Sequence, residues 1–321
     1  MTSVHRLAVP TPFAVGRVNC YLIEDDPLTL VDTGPNSGTS LTTLEAALAE
    51  HGRRVEDLER IVLTHQHIDH IGLAQILADR SGAEVCALET LAPWLADYGD
   101  SMEADDRFAE AIMARHGIPE DVRYALRAVS AQFRAWGSRV AVGRTFADGD
   151  VLPFAGRTWN VHHRPGHSPS DTVFHDEASG ELIGGDHLIL KISSNPLIAR
   201  PLDGGTEERP QALRIYLDSL AATRTMAVTR VWPGHGDPVE NHTALIDERT
   251  RLHARRAEKL HRLISEQPRS AYELAQAMWG NVAVTQAYLT LSEVLGHTDL
   301  LMNEGRVREA ETDGVVRFVA A

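Results

Sequence analysis

Cysteine and lysine are scarce in this chain of 321 residues, and long apolar runs are missing. The two cysteines, Cys20 and Cys86, lie in apolar, strand-like runs without metal-site spacing, so we expect buried free thiols in a reducing compartment. No run reaches the roughly 18 apolar residues that predict a transmembrane helix. The first residues also lack the basic stretch and apolar core of a signal peptide. We therefore expect a cytoplasmic protein without a membrane partner.

Basic charge is in deficit as well. Lysine and arginine total 31 against 45 acidic residues, which gives a net charge of −14. Because nucleic-acid-binding proteins usually carry a basic surplus, this balance disfavours a nucleic-acid partner. The composition is otherwise that of a globular protein, with 43% hydrophobic and 24% charged residues, long enough for one large domain or a large and a small one.

Short apolar runs alternate with amphipathic stretches in the first third, which predicts a layered α/β fold. We expect a large domain over 1–240 with a helical insertion at about 89–142, a connecting helix over 241–266 and a small domain over 267–321. The small domain contains two helical stretches and two short strands around "TDG", a pattern typical of a winged helix. Its few arginines make a poor phosphate-binding face, so we expect it to pack on the large domain or to mediate homo-oligomerisation.

The stretch "LTHQHIDHIG" (63–72) contains His65, His67, Asp69 and His70 between a buried strand-like run and a helical pattern. Imidazole is the commonest metal ligand, and it binds in its neutral form. Two histidines separated by one residue can reach one ion, and the adjacent Asp–His pair can reach a second. Asp69 falls in the first helical turn, where the helix dipole favours its anionic form.

Three further polar residues each follow a strand-like run and a turn of small or rigid residues: His167, Asp186 and His235. In layered α/β folds, ligands bind at the carboxyl ends of strands. The seven residues together suit two ions with one bridging carboxylate, which lower the pKa of a shared water to give hydroxide near neutral pH. We expect His187 to be a further ligand or a packing residue, and the remaining histidines considered to be surface or packing residues: His162, His163, His242, His253, His261 and His297.

The ordered motifs "THQHIDHIG", "PGHS", "GGDH" and "PGHG" resemble those of the metallo-β-lactamase-fold hydrolases, and the resemblance covers roughly residues 7–240. It implies a four-layer αβ/βα sandwich with a dinuclear site at one edge. By position, it implies that His65, His67 and His167 hold one ion. Asp69, His70 and His235 would hold the other, and Asp186 would bridge, with Asp69 also accepting a proton from the attacking water. The C-terminal segment is similar to the winged-helix-like appendage of the glyoxalase II-like and β-lactamase-like protein 2 subgroup.

This superfamily includes several kinds of enzyme, so the fold does not fix the function. The bridging Asp186 and the missing signal peptide disfavour a true β-lactamase, and the full ligand set disfavours a sulfur dioxygenase. A small acyl substrate, a thioester or ester, is the favoured class. A lactonase and an RNA endonuclease remain alternatives. We expect two divalent transition-metal ions, zinc by default, with iron or manganese as alternatives.

Two segments are candidates for contacting the substrate. The residues after Asp186 should line the mouth of the site, which makes Lys191, Ser193, Ser194 and Asn195 candidate substrate contacts. The helical insertion is long enough to form a lid over the site. Its apolar residues either offer a wall for an acyl group or pack the insertion against the body: Trp94, Phe108, Ile112, Met113, Phe133 and Trp136.

Overall fold

Two β-sheets form the centre of the molecule in a computed structural model that describes residues 3–204 and 209–321. The first sheet has the order β1-β2-β3-β4-β5-β6, with β1 Ser3–Val9, β2 Val18–Glu24, β3 Thr29–Val31, β4 Arg60–Val62, β5 Glu84–Leu88 and β6 Arg144–Phe146. The second has the order β11-β10-β9-β8-β7, with β7 Val151–Pro153, β8 Thr158–His163, β9 Thr172–Asp176, β10 Glu181–Gly185 and β11 Arg230–Pro233.

Alternating side chains on the second sheet show how the layers pack. Val161, Phe174 and Ile183 belong to the core that the two sheets share. Val173 and Leu182 belong instead to a second cluster with α7 (Ala212–Arg224) and α8 (His242–Glu266). Because successive residues of a strand point to opposite faces, this sheet is covered on both sides.

The first sheet is covered by its own helices, α1 (Gly38–Glu50) and α3 (Ala74–Ser81), which contribute Leu44 and Leu77 to its core. A short 3₁₀ turn, Val55–Asp57, precedes β4, and α2 (Ile68–Ile71) follows it. The result is the four-layer αβ/βα sandwich that the family resemblance implies.

The remaining elements form a helical insertion and a C-terminal module of helices and short strands. The insertion contains α4 (Ala92–Ala96), α5 (Tyr98–Arg115), α6 (Glu120–Phe133) and a 3₁₀ turn, Arg134–Trp136. The C-terminal module contains β12 (Arg269–Ser270), α9 (Ala271–Trp279), α10 (Val282–Thr285), α11 (Ala287–Asn303), β13 (Val307–Thr312) and β14 (Val315–Ala320). β14 pairs with both β12 and β13, which gives a three-stranded antiparallel sheet.

The insertion and the C-terminal module share one hydrophobic core. Ile112 and Met113 of α5 lie in the same buried cluster as Leu291 and Phe318. His116, directly after α5, stacks on the ring of Phe318 with the ring planes 2° apart. The C-terminal module therefore packs on the rest of the chain, one of the two roles expected for it.

Helix α11 is the central helix of this arrangement. Twelve of its 17 residues are buried, and it contacts α7, α8 and α9. A DNA-recognition helix has to enter a groove with an exposed face. The burial of α11 leaves little surface for such a role.

Truncating a buried side chain of α11 should destabilise the protein strongly. Leu291 is 1% exposed in the shared core, so Leu291→Ala should lower the free energy of unfolding by about 2–5 kcal/mol. Leu289 on the same helix is 40% exposed, and Leu289→Ala should cost about 0.5 kcal/mol or less. Urea unfolding of both variants measures the difference. Equal losses would contradict the assignment of α11 to a shared core.

Candidate metal centre

The candidate site lies at one edge of the sandwich, where strands of both sheets end. β3, β4 and β5 run parallel in one sheet, and β10 and β11 run parallel in the other. Main-chain hydrogen bonds join the two sheets here: the Thr172 amide donates to the Thr64 carbonyl (3.0 Å), and the Asn19 amide donates to the Gly234 carbonyl (2.7 Å). The strand ends of the two sheets therefore present their side chains to one space.

The structure brings all seven predicted ligands together there. Their side chains form three overlapping groups, each with its ligand atoms within 4.8 Å of one another: His65, His67 and His167; His65, His70 and Asp186; and Asp69, His70 and His235. Nδ1 of His67 lies 3.0 Å from Nε2 of His65 and 2.9 Å from Nε2 of His167. The first of these groups forms one half of the site and the third forms the other half. In the other half, Nε2 of His235 lies 3.3 Å from Oδ2 of Asp69.

Asp186 lies between the two halves. Its Oδ1 is 3.5 Å from Nε2 of His70, and its Oδ2 is 3.5 Å from Nε2 of His167 and 3.4 Å from Nε2 of His235. Buried polar atoms normally have hydrogen-bond partners, yet Nε2 of His70 and Oδ1 of Asp186 have none. These two atoms without hydrogen bonds, and the imidazole and carboxylate ligands around them, fit divalent metal ions.

Glycine at position 234 makes this close approach possible. A Cβ atom there would collide with Oδ1 of Asp186 and would lie 2.8 Å from Cε1 of His70. The turn before His235 therefore requires a residue without a side chain.

Comparison with known proteins identifies the family. Residues 14–235 match the model of the metallo-beta-lactamase superfamily, and residues 257–321 match that of the metallo-beta-lactamase-like C-terminal domain. The chain belongs to the metallo-beta-lactamase superfamily. This confirms the family resemblance and a metal-dependent hydrolase.

Three proteins illustrate the similarity. The chain is 33% identical over 312 residues (97% of this chain, 96% of the relative) to the probable metallo-hydrolase YqjP of Bacillus subtilis. It superposes on the metallo-beta-lactamase family protein TTHA1429 of Thermus thermophilus with a TM-score of 0.82 and 26% identity, covering 99% of this chain and 98% of the other. A stretch of 69 residues, 22% of this chain and 24% of the relative, is 42% identical to the exodeoxyribonuclease WalJ of Streptococcus pneumoniae.

Four of the five histidine ligands are oriented through Nδ1. Main-chain carbonyls hold two of them: the Arg17 carbonyl accepts from His235 (2.8 Å), and the Asn195 carbonyl accepts from His167 (3.1 Å). Thr64 Oγ1 lies 2.9 Å from Nδ1 of His65. With Nδ1 as the donor, Nε2 faces the site and carries no proton when the ring is neutral.

Asp32 orients the fourth histidine, and the sequence analysis missed it. Its Oδ2 accepts from Nδ1 of His70 at 2.7 Å. The same carboxylate accepts from the Thr64 amide (2.9 Å) and hydroxyl (2.8 Å). Asp32 follows β3 in "LVDTG" and adopts a left-handed φ of 58°. Its place at a strand end, like that of the ligands, was the available signal.

A buried polar network contacts the loop that carries His167. The sequence analysis also missed this network. Asp171 accepts a hydrogen bond from the Ser168 amide (2.8 Å), and the hydroxyls of Ser168 and Ser170 donate to Gln66. Burial raises the pKa of Asp171 to about 6. The network links the loop that carries His167 to the loop that carries His65 and His67.

His187, which directly follows Asp186, is directed away from the site. It is fully buried, and its Nε2 lies 2.9 Å from the hydroxyl of Thr223 on α7. It belongs to none of the ligand groups formed by the described residues. Of the two expectations for His187, the structure favours a packing residue.

The four candidate substrate contacts have different environments. Lys191 is exposed and pairs with Asp237 at 3.1 Å. Ser193 is half-buried, and Ser194 is buried with its hydroxyl donating to the Asp186 carbonyl. The Asn195 carbonyl accepts from His167, and its side-chain amide donates to the Leu289 carbonyl at 3.0 Å. Ser194 and Asn195 therefore hold ligands in place, whereas Lys191 lies in an exposed ion pair at the surface.

The apolar residues of the insertion also divide. Ile112 and Met113 are buried in the core shared with the C-terminal module, and Phe108 packs against it. Trp94 is buried in the main core and donates to Asp105. Only Phe133 and Trp136 cluster with Phe13, at ring separations of 5.1–5.6 Å. Four of the six residues therefore pack the insertion against the two cores, and the lid interpretation remains a prediction for Phe133 and Trp136 alone.

Burial and neighbouring charges shift the pKa values of the histidines in the site in opposite directions. Burial disfavours the imidazolium of His235, but Asp186 and Asp69 outweigh this and raise its pKa to about 10. Burial also opposes the charge of His70, whose pKa is nevertheless raised by Asp32 and Asp186. In contrast, burial lowers the pKa of His67 to about 3. Without a metal ion, protons on His70 and His235 balance the buried carboxylates.

No helix among the described residues combines the length and apolar character needed to cross a membrane.

Removing the orienting carboxylate should weaken metal binding. Asp32→Asn leaves the volume unchanged but removes the charge that holds Nδ1 of His70, so metal affinity should fall by about 10- to 100-fold. Competition with a chromophoric chelator measures it. Asp79→Asn, at an exposed aspartate on α3, is the control and should bind metal as the wild type does. Wild-type affinity in Asp32→Asn would show that Asp32 does not position His70.

Metal binding should release protons near neutral pH. His235 in the metal-free chain has a pKa of about 10, so a cation has to displace its proton, and affinity should rise with pH up to that value. Calorimetric titration of chelator-stripped protein in two buffers with different ionisation enthalpies detects the transfer. Equal heats in the two buffers would contradict the assigned protonation.

Proposed function

We propose that the protein is a dinuclear metal-dependent hydrolase of a small acyl substrate, a thioester or ester. The observation that carries this proposal is the position of Asp186, whose two carboxylate oxygens face ligands of both halves of the site. When bound, two divalent cations supply Lewis acidity and a water of lowered pKa. The five imidazoles and two carboxylates suit zinc, with iron or manganese as alternatives.

The chain's own residues have distinct roles in this proposal. Asp186 bridges the two halves. Asp69 accepts a proton from the attacking water: burial raises its pKa, but His70 and His235 outweigh this and lower it, so the carboxylate is ionised at neutral pH. The Nδ1 contacts of the histidines hold their rings in place, so the donor atoms are arranged before the substrate arrives.

An apolar loop beside the site supports an acyl substrate. The loop 186–195 begins at the bridging aspartate and ends at Asn195, whose carbonyl holds His167. At its tip, Leu190 and Ile192 are 36% and 45% exposed. Between them, Lys191 pairs with Asp237, two residues after His235. The loop thus extends alongside both halves of the site and offers apolar surface next to the metal ligands.

A second apolar surface lies near Asp69 and His70, because the 3₁₀ turn Arg134–Trp136 contacts α2. Phe13, Phe133 and Trp136 form the aromatic cluster described above. Phe13 belongs to the segment between β1 and β2, which also contains Arg17, whose carbonyl holds His235. Apolar side chains next to a metal centre suit a substrate with a hydrocarbon part more than a polyanion.

Two alternatives use the same site. A lactone presents the same kind of carbonyl as an ester, so a lactonase remains an alternative. The similarity of 69 residues to WalJ favours a nuclease as a second candidate. The net charge of −14 and the burial of α11 favour a small molecule over nucleic acid.

A parallel screen of the metal-loaded enzyme tests the proposal. Acyl-thioesters, esters, lactones, a chromogenic β-lactam, single-stranded RNA and single-stranded DNA are compared by initial rate. We expect the highest kcat/KM with a thioester or ester. Asp186→Asn should lower that rate by more than about 100-fold, because it alters a bridging ligand rather than a supporting residue. Asp218→Asn, at a salt-bridged aspartate on α7, should keep the wild-type rate.

Two outcomes of the same screen would contradict the proposal. Metal-dependent cleavage of RNA or DNA that disappears in Asp186→Asn, with no turnover of any acyl substrate, would replace the acyl hydrolase with a nuclease. Activity of Asp186→Asn within a few-fold of wild type would show that Asp186 does not bridge.

A further inference from the structure

A second group of metal-ligand side chains lies buried between α8 and α11. His253 belongs to α8, and Glu293 and His297 belong to α11. Each offers one ligand atom within 4.8 Å of those of the other two, and among the described residues the only other groups that meet this criterion are those of the seven-residue centre. All three residues are at least nine-tenths buried. The sequence analysis expected both histidines to be surface or packing residues.

The two imidazole rings meet through their nitrogen atoms. Nδ1 of His297 donates to the Glu293 carbonyl at 2.6 Å, so Nε2 of the neutral ring carries no proton. That Nε2 lies 3.2 Å from Nδ1 of His253. The spacing is close to the 2.9 and 3.0 Å that separate ligand nitrogens in the catalytic centre. Two arrangements account for this spacing: a cation bound by the lone pairs of both nitrogens, or a proton on Nδ1 of His253 that is shared with Nε2 of His297.

Glu293 provides the observation that favours the cation. Its Oε1 accepts from Arg256 at 3.0 Å, whereas its buried Oε2 lies 3.4 Å from Nδ1 of His297 and accepts no hydrogen bond. A buried carboxylate oxygen that accepts no hydrogen bond is costly, and native structures rarely contain one. A cation bound by the two imidazoles would take this oxygen as its third protein ligand.

The site is separate from the catalytic centre. The ring of Tyr216 makes edge contacts with His253 and with His187, at centroid distances of 6.4 and 5.8 Å. His187 directly follows the bridging Asp186 but is not among the grouped ligands. The cluster therefore connects helices instead of completing the catalytic ligand set.

We propose that His253, Glu293 and His297 form a third, structural site for a transition-metal ion of the zinc class, which joins α8 to the central helix of the C-terminal module. Two imidazoles and one carboxylate are a donor set that zinc prefers. Such an ion would link the two helices by ligand bonds, and the binding free energy would add to the stability of the C-terminal module.

Metal content per chain tests the proposal without any activity assay. Wild type, Glu293→Gln and His297→Gln are purified without chelator, dialysed against zinc and measured by elemental analysis. Both variants should contain one zinc ion per chain fewer than the wild type. His261→Gln, which changes another histidine of α8 outside the cluster, is the matched control and should retain the wild-type content. Equal zinc in wild type and in both cluster variants would overturn the proposal.

Anomalous diffraction of wild-type crystals grown with excess zinc covers the case in which the variants fail to fold. Data collected on both sides of the zinc absorption edge should show a peak among the three side chains, in addition to any peaks at the catalytic centre. Density at the catalytic centre with no peak at the cluster would identify a metal-free, hydrogen-bonded histidine pair and overturn the proposal.

Discussion

The buried carboxylate of Asp186 is the constraint around which the site is organised. A carboxylate taken out of water costs several kcal/mol unless positive charge or hydrogen bonds compensate for it. Burial alone would raise the pKa of Asp186, but His235 and His70 outweigh it and hold that pKa well below its usual range. Both sheets therefore have to deliver their polar residues to the same edge, where protons on the histidines or metal ions balance the charge.

The second requirement is the orientation of the imidazoles. A histidine binds a cation only when the correct nitrogen is free of its proton, and the partner of the other nitrogen decides this. Here the partners come from distant parts of the chain: Asp32 for His70, Arg17 for His235 and Asn195 for His167. The loop after Asp186 thus serves the site through its main chain as much as through its side chains.

The C-terminal module helps to position the loop beside the site. Its Leu289 carbonyl accepts from Asn195, the residue that holds His167, and the Ser292 hydroxyl accepts from the Ile198 amide. On α8, Arg249 donates to the carbonyls of Ile189 and Leu190. The loop that borders the candidate site is therefore fixed by helices near the C-terminus, so the module contributes to the geometry of the site without supplying one of its seven ligands.

The four-layer arrangement was implied by the resemblance of the motifs to a known family. The sequence by itself determined a layered α/β fold and the grouping of candidate ligands. Both signals are local: strands and helices have short periodicities, and the cluster His65, His67, Asp69 and His70 needs only six positions. Only the tertiary structure decided the contacts that have no local pattern. The core shared by the insertion and α11 and the role of Asp32 join residues far apart in the chain. So does the meeting of His253 with Glu293 and His297, because side chains on separate elements become neighbours only when those elements pack.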